Sequence, residues 1–294
     1  MFECVMLNRK NMDALRQLND NRKKFNELNE DFFGLYDNCN FAQKIFLRRT
    51  VFLLKSDAEY FGFIWFTSNC RNCCYINSMF VSGQYSDLKQ YYSALLSNID
   101  GYTNLQYSCI KNDNNYNLLE SLGFTIKEGT ISLSYSFYGD YRMPDLPNNV
   151  IIKQLKAGKD ELIRCRIQND VFEVSGRIPL TVDDIFYDED QKYYFDKGAF
   201  FIMEGDKHVG YGQIIIEDCE PVIVNLGILK EFRGKGYGKY LVMQLLNIIW
   251  QNNFHKAMIR VSTENKIALK LYESVGFKVE SEKSLFELKM LRDH

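Results

Sequence analysis

The run PVIVNLGIL, residues 221–229, is apolar and largely β-branched, with only Asn225 breaking it. A strand tolerates such a run when both of its faces are covered, so it belongs in the middle of a sheet with helices packed on either side. It leads into EFRGKGYGKYL, 231–241, where Gly234, Gly236 and Gly238 fall at alternate positions. The next segment, LVMQLLNIIW, carries Leu241, Leu245, Ile248 and Ile249 at the helical period. A buried strand, a glycine loop and a helix in that order define a unit of the mixed α/β class and put a helix start at the end of a central strand.

The rest of the second half is consistent with such a unit. NVIIKQL predicts a strand and GKDELIRCRIQND a helix. PLTVDDIFYDEDQKYYFDKG predicts a helix or helix–loop opened by Pro179 and Thr181. AFFIMEGDKHVGYGQIIIED reads as a hairpin turning at EGDKH, and KAMIRVS as a strand. TENKIALKLYESVG predicts a helix with Thr263 as N-cap, Ala268, Leu271, Tyr272 and Val275 on one face, and Gly276 past its end. FKVESEKSLFELKM supplies the last strands. The result is a mixed sheet with helices on both faces.

The first half repeats these landmarks in order. AEYFGFIWF answers KHVGYGQII, with Gly62 against Gly210. SCIKNDNNYNLLESLGF answers VSTENKIALKLYESVGF, with Asn112 against Asn265 and Gly123 against Gly276. SDLKQYYSALLSNI answers the helix after the glycine loop. Pro144 and Pro147 mark YGDYRMPDLPNNV, 138–150, as a linker. A tandem duplication follows, with domains at 1–143 and 148–294, each a mixed, mostly antiparallel twisted sheet flanked by helices.

Amides at a helix start are unpaired and the helix dipole favours an anion there, while glycine lets backbone approach a phosphate. Arg233, Lys235 and Lys239 add positive charge. The Walker spacing fails, because Tyr240 stands where the hydroxyl residue should follow Lys239, and the dinucleotide fingerprint fails because its third glycine would fall on Lys239. Arg233-x-x-Gly236-x-Gly238, after an apolar strand and opening a helix, resembles the acyl-CoA pyrophosphate loop of the GNAT superfamily of N-acetyltransferases. Asn265, Ala268, Leu271, Tyr272 and the Gly276–Phe277 pair resemble that family's second hallmark. The first half resembles the same fold without the loop: FVSGQYSDLKQ keeps only Gly83, and Leu119 answers Tyr272. That implies a degenerate copy lacking the acyl-CoA motif, giving structural support and one wall of the substrate cleft.

The resemblance implies acetyl transfer from acetyl-CoA to a primary amine by direct attack in a ternary complex. Residues from Arg233 through Gly234, Lys235, Gly236, Tyr237 and Gly238 to Lys239 would hold the pyrophosphate. Leu226, Gly227 and Ile228 would flank the pantetheine arm, with an amide near Ile228 polarising the thioester carbonyl. Asn265 and Ala268 would sit beside the pantetheine amides, and Tyr272 would protonate the leaving thiolate. Many members place a Glu on the strand before the loop; here Asn225 occupies that strand, and Glu217, Asp218, Glu220 and Glu173 are the nearby candidates for a base acting through water. Asp183, Asp184, Asp188, Glu189 and Asp190 would form an acidic lip for a cationic acceptor, or else an ordinary solvated helix face.

Composition limits the alternatives. A net charge of −2 gives no nucleic-acid footprint, and with the intact loop it argues against aminoacyl transfer from tRNA. No run is long enough for a membrane span and the N-terminus resembles no targeting peptide, so the expected location is cytoplasmic. The cysteines are expected as reduced thiols. CRNCC, 70–74, has one C-x-x-C without a second pair, and His208, His255 and His294 are isolated, so no metal is expected. His208 and His255 are expected at the surface. A non-catalytic acyl-CoA sensor is the remaining alternative.

Overall fold

A computed structural model of the chain describes every residue except Met1, Ala58, Arg71, 84–87, Ser175 and 291–294, and the side chains of Asn69 and Cys70. The Cys70 end of the C-x-x-C spacing, His294 and most of GQYSD therefore lie outside the described residues. Two compact units divide the chain, Ile131–Glu280 and Met1–Thr130 with Ser281–His294. They differ from the contiguous halves in their closing strands: Ile131 onward goes with the second half, and Ser281 onward with the first.

The first unit runs β1 (Phe2–Met6), α1 (Met12–Asp20), α2 (Phe32–Tyr36), α3 (Phe41–Arg48), β2 (Val51–Ser56), β3 (Glu59–Cys70), β4 (Cys73–Val81), α4 (Leu88–Leu96), β5 (Asn104–Ile110) and α5 (Asn115–Ser121), then enters β6 (Thr125–Ser136). The second continues from β6 through β7 (Val150–Gln154), α6 (Glu161–Val171), α7 (Val182–Glu189), β8 (Tyr194–Glu204), β9 (Lys207–Glu217), β10 (Glu220–Ile228), α8 (Tyr237–Gln251), β11 (Lys256–Ser262) and α9 (Lys266–Val275), into β12 (Lys278–Lys289). Strand order is β1-β2-β3-β4-β5-β12 in the first and β6-β11-β10-β9-β8-β7 in the second. No helix among the described residues is long and apolar enough to cross a membrane.

In the second unit the periodic residues of α8 bury Leu241, Leu245, Leu246 and Ile249 against Ile223, Ile259 and Tyr272. On the opposite face, Ile163, Ile167 and Val171 of α6 pack on Phe201 and Tyr211. The central run is thus covered on both sides, as its composition requires. Two expectations change. The segment after α7 becomes strand at Tyr194, because Phe200 to Ile202 need the core more than the helix needs another turn. His208 is half-buried rather than at the surface, edge-on to Phe201 at 5.0 Å.

The first unit shows how a parted pair of parallel strands can be closed. β4 and β5 pair only from Cys73↔Asn104 to Tyr75↔Gln106. Beyond that point residues 25–29, FNELN, fill the gap. Asn26 Nδ2 donates to the Ser108 carbonyl at 2.8 Å and its Oδ1 accepts from the Ile110 amide at 3.1 Å. Asn29 Nδ2 donates to the Met79 carbonyl at 2.9 Å, and its Oδ1 accepts from the Met79 amide at 3.4 Å. Each side-chain amide replaces ladder bonds that the missing neighbour would have supplied. Phe25 lies 4.9 Å from the Tyr92 ring, whose hydroxyl accepts from the Val81 amide at 3.1 Å. Asn26→Ala should therefore cost about 2–3 kcal/mol, since it leaves buried backbone groups unpaired. Urea unfolding followed by circular dichroism measures this, and acetyl-CoA affinity should stay unchanged.

Candidate active site

In the second unit β10 and β11 run parallel through Val222↔Met258 and Ile223↔Ile259 and then part. On its other edge β10 slips register against β9 between Val224 and Gly227. Asn225 takes φ of 53°, so Asn225 and Leu226 bulge out of the ladder. A cavity of about 370 Å³ lies there, lined by Ile223, Asn225 and Leu226 of β10, Arg260 and Ser262 of β11, and Asn265 and Tyr272 at α9. Phe172 and Arg177, between α6 and α7, complete its wall. The cavity takes in residues from both faces of the sheet.

The glycine loop stands at the start of α8. Gly234 and Gly236 have φ of 81° and 82°, and Gly236 is the N-cap residue. Among the described residues, none of the amides from Gly234 to Gly238 donates to a group of the protein. A Cβ on Gly238 would lie 3.2 Å from Leu271, so this glycine allows α8 to pack close beside Tyr272. Arg233 is anchored by Nε to the Ile228 carbonyl at 2.9 Å. Lys235 is engaged elsewhere: its ammonium pairs with Glu204 at 3.0 Å, and the Tyr237 hydroxyl donates to the same carboxylate at 2.7 Å. Lys239 is exposed with no ion-pair partner among the described residues, which leaves it and Arg233 as the loop's available charges.

Three expected site residues, Leu226, Asn265 and Tyr272, meet at the cavity. Gly227 and Ile228 do not line it. A Cβ on Gly227 would lie 2.0 Å from Val171, so Gly227 serves close packing, and Ile228 sits in register with Gly210. The helix after β11 is capped by Asn265 rather than Thr263: Asn265 Oδ1 accepts from the Ala268 amide at 3.1 Å. Its Nδ2 makes no hydrogen bond among the described residues and remains a donor beside the cavity. Tyr272 is buried at 5% exposure, and burial pushes its hydroxyl up to about 12. That hydroxyl also has no partner in the described protein.

The acidic segment is largely internal in its pairing. Arg164 of α6, 1% exposed, pairs with Asp188 and, at 3.2 Å, with Glu189. Asp184 closes a capping box with Thr181. Arg164 Nη2 also donates to Gln213 Oε1 at 3.0 Å, which receives the Tyr211 hydroxyl at 3.2 Å and Asn225 Nδ2 at 3.1 Å. Of the candidate bases, Glu217 is bound to Arg260 at 2.6 Å, and Asp218 sits in a turn at φ of 48°. Glu173 lines a separate cavity with Asp170 and Arg177. Arg164 and Gln213 were not anticipated; an arginine on the buried face of a helix pattern was the available signal.

Residues 167–277 match the family model described as the acetyltransferase (GNAT) family. The chain is 25% identical over 175 residues to a mycothiol acetyltransferase of Kocuria rhizophila, covering 54% of this chain and 57% of that protein. Identity to a mycothiol acetyltransferase of Streptomyces coelicolor is 26% over 141 residues, 47% and 46% of the two chains. The chain thus matches about half the length of these curated relatives. A GCN5-related N-acetyltransferase from Sphaerobacter thermophilus superposes with a TM-score of 0.58 at 13% identity, over 98% of this chain and 95% of the other. A GNAT-family acetyltransferase from Colwellia psychrerythraea superposes at 0.51 and 13% identity, over 98% and 100%. At these identities the likeness is one of fold, and it extends through the first half.

Arg164→Met should destabilise the protein by about 3–5 kcal/mol at pH 7, because it leaves Asp188 and Glu189 uncompensated. Burial already pushes the Glu189 carboxyl above its ordinary value and Arg164 opposes that shift, so without Arg164 the penalty is full above the raised folded pKa of Glu189 and shrinks as acid protonates it. Urea unfolding of both proteins at pH 7 and pH 4.5 should show the difference narrowing in acid.

Proposed function

We propose that the protein transfers an acetyl group from acetyl-CoA to a primary amine by direct attack in a ternary complex. The observation that carries this is the set of amides from Gly234 to Gly238, unpaired at the start of α8, on a helix packed closely against the one that brings Tyr272 to the parted strands. Acetyl-CoA would supply the activated acyl group as a thioester. The loop amides, with Arg233 and Lys239, would bind the pyrophosphate; Asn265 Nδ2 would donate to the pantetheine; and Leu226, whose backbone the bulge removes from the ladder, would orient the acyl carbonyl. Tyr272 would give its proton to the sulfur as the C–S bond breaks. Its raised pKa keeps that proton in place throughout the neutral range.

Tyr272→Phe should lower the acetyl-transfer rate by about 10²–10⁴-fold while acetyl-CoA affinity holds, as measured by mass spectrometry of amine products and by calorimetry. An unchanged rate would remove Tyr272 from the mechanism. Tight binding without turnover by the unaltered protein would instead favour a non-catalytic sensor. The wild-type rate should show no loss from Tyr272 ionisation below about pH 11.

A further inference from the structure

A chain of side-chain amides fixes the orientation of Asn225, which lines the cavity. Gln213 is fully buried. Its Oε1 faces the Arg164 guanidinium at 3.0 Å, and its Nε2 donates to Asp188 at 3.3 Å. Reversing that amide would set NH₂ against guanidinium and point an oxygen at a carboxylate, so Arg164 and Asp188 decide its orientation. Oε1 is then what Asn225 meets at 3.1 Å, and Asn225 must present Nδ2 to it. Its other atom, Oδ1, makes no hydrogen bond among the described residues, on a side chain that lines the cavity.

The described lining of that cavity holds no carboxylate. Arg177 and Arg260 line the cavity, and none of its described lining residues is Asp, Glu or His. Of the carboxylates on the surrounding elements, Glu217 of β9 is committed to Arg260, Asp188 and Glu189 of α7 to Arg164, Asp170 and Glu173 line the neighbouring cavity, and Glu264, between Ser262 and Asn265, is exposed and does not line this one. Tyr194, Tyr211 and Tyr272 are all pushed above the ordinary tyrosine range by burial. A primary ammonium entering here meets the Arg177 guanidinium, the Arg260–Glu217 pair and no free carboxylate on the cavity lining.

We infer that the acceptor is a weakly basic primary amine that reacts in its neutral form, held through one N–H by Asn225 Oδ1, with Gln213 and Arg164 as the positioning residues. The inference rests on the acetyl-transfer reading above. An amide oxygen does not remove a proton near neutrality, so the neutral fraction in solution limits the reaction. At pH 7 an α-amine of pKa about 7.7–8.0 is roughly a tenth neutral, whereas a lysine-type amine of pKa about 10.4 is neutral in about one part in 2,500. The nitrogen lone pair forms the C–N bond to the acetyl carbon and the C–S bond breaks onto sulfur. Tyr272 protonates the sulfur, the surplus amine proton leaves to water, and water restores the tyrosine.

Dipeptide amides ending in lysine carry both kinds of amine in one molecule. With acetyl-CoA and the full-length protein, tandem mass spectrometry should find the α-amine acetylated at least tenfold faster than the ε-amine at pH 7, with the ratio falling as pH rises. Asn225→Asp places a carboxylate at the same point and should narrow the ratio severalfold. Gln213→Met and Asn225→Ala should each raise the KM for peptide severalfold, with acetyl-CoA affinity intact as the check that the fold stands. Equal or faster ε-acetylation, or modification of neither amine by protein that binds acetyl-CoA, would overturn the inference alone. Failure to bind acetyl-CoA would overturn the acetyl-transfer reading beneath it.

Discussion

Parting two parallel strands strips backbone groups of their ladder partners inside a protein, and the rest of this structure is organised around that cost. β10 and β11 separate after Ile223 and Ile259, and β4 and β5 after Tyr75 and Gln106. Each gap needs polar partners or a reason to lack them. In the first unit Asn26 and Asn29 supply the partners from the chain itself. In the second, the corresponding space is a cavity.

The two asparagines that answer one another in sequence show the contrast at one atom. Asn112 Oδ1 accepts from the amide three residues on at 2.9 Å, and Asn265 does the same at 3.1 Å. Asn112 Nδ2 is then spent on the Phe25 carbonyl at 3.0 Å, while Asn265 Nδ2 has no partner in the described protein. The same side-chain-to-amide bond recurs in the two units, and what lies beside it differs. The unpaired groups of the second unit, at Asn265, Tyr272 and the α8 amides, are the ones a thioester with a pyrophosphate tail could satisfy.

Much of this was legible in the sequence because it rests on local rules. The apolar run, the helical period of α8, Gly276 as a left-handed helix end and the place of the glycine loop at the start of α8 all follow from residues within a few positions of one another. What was not legible depends on distant partners. The acidic helix α7 reads as charge, but its counter-ion, Arg164, lies across the α6–α7 connection, and only packing brings them together. Lys235 reads as a loop charge, but its partner Glu204 lies on a distant strand. Asn26 and Asn29 look like ordinary loop residues because their bonds reach Ser108, Ile110 and Met79. Strand periodicity likewise does not say which sheet β12 joins; its pairing with β5 does.

The central claim is that the second unit alone holds acetyl-CoA, at the α8 amides. Calorimetric titration of acetyl-CoA into the wild-type protein and into Gly236→Glu tests it most directly, with circular dichroism confirming that both are folded. Gly236→Glu puts a carboxylate where the phosphate charge would sit, at a position whose φ already disfavours a side chain. The account predicts one site per chain in the wild type and none in the variant. Unchanged binding by the folded variant, or a second equivalent site in the wild type, would contradict it.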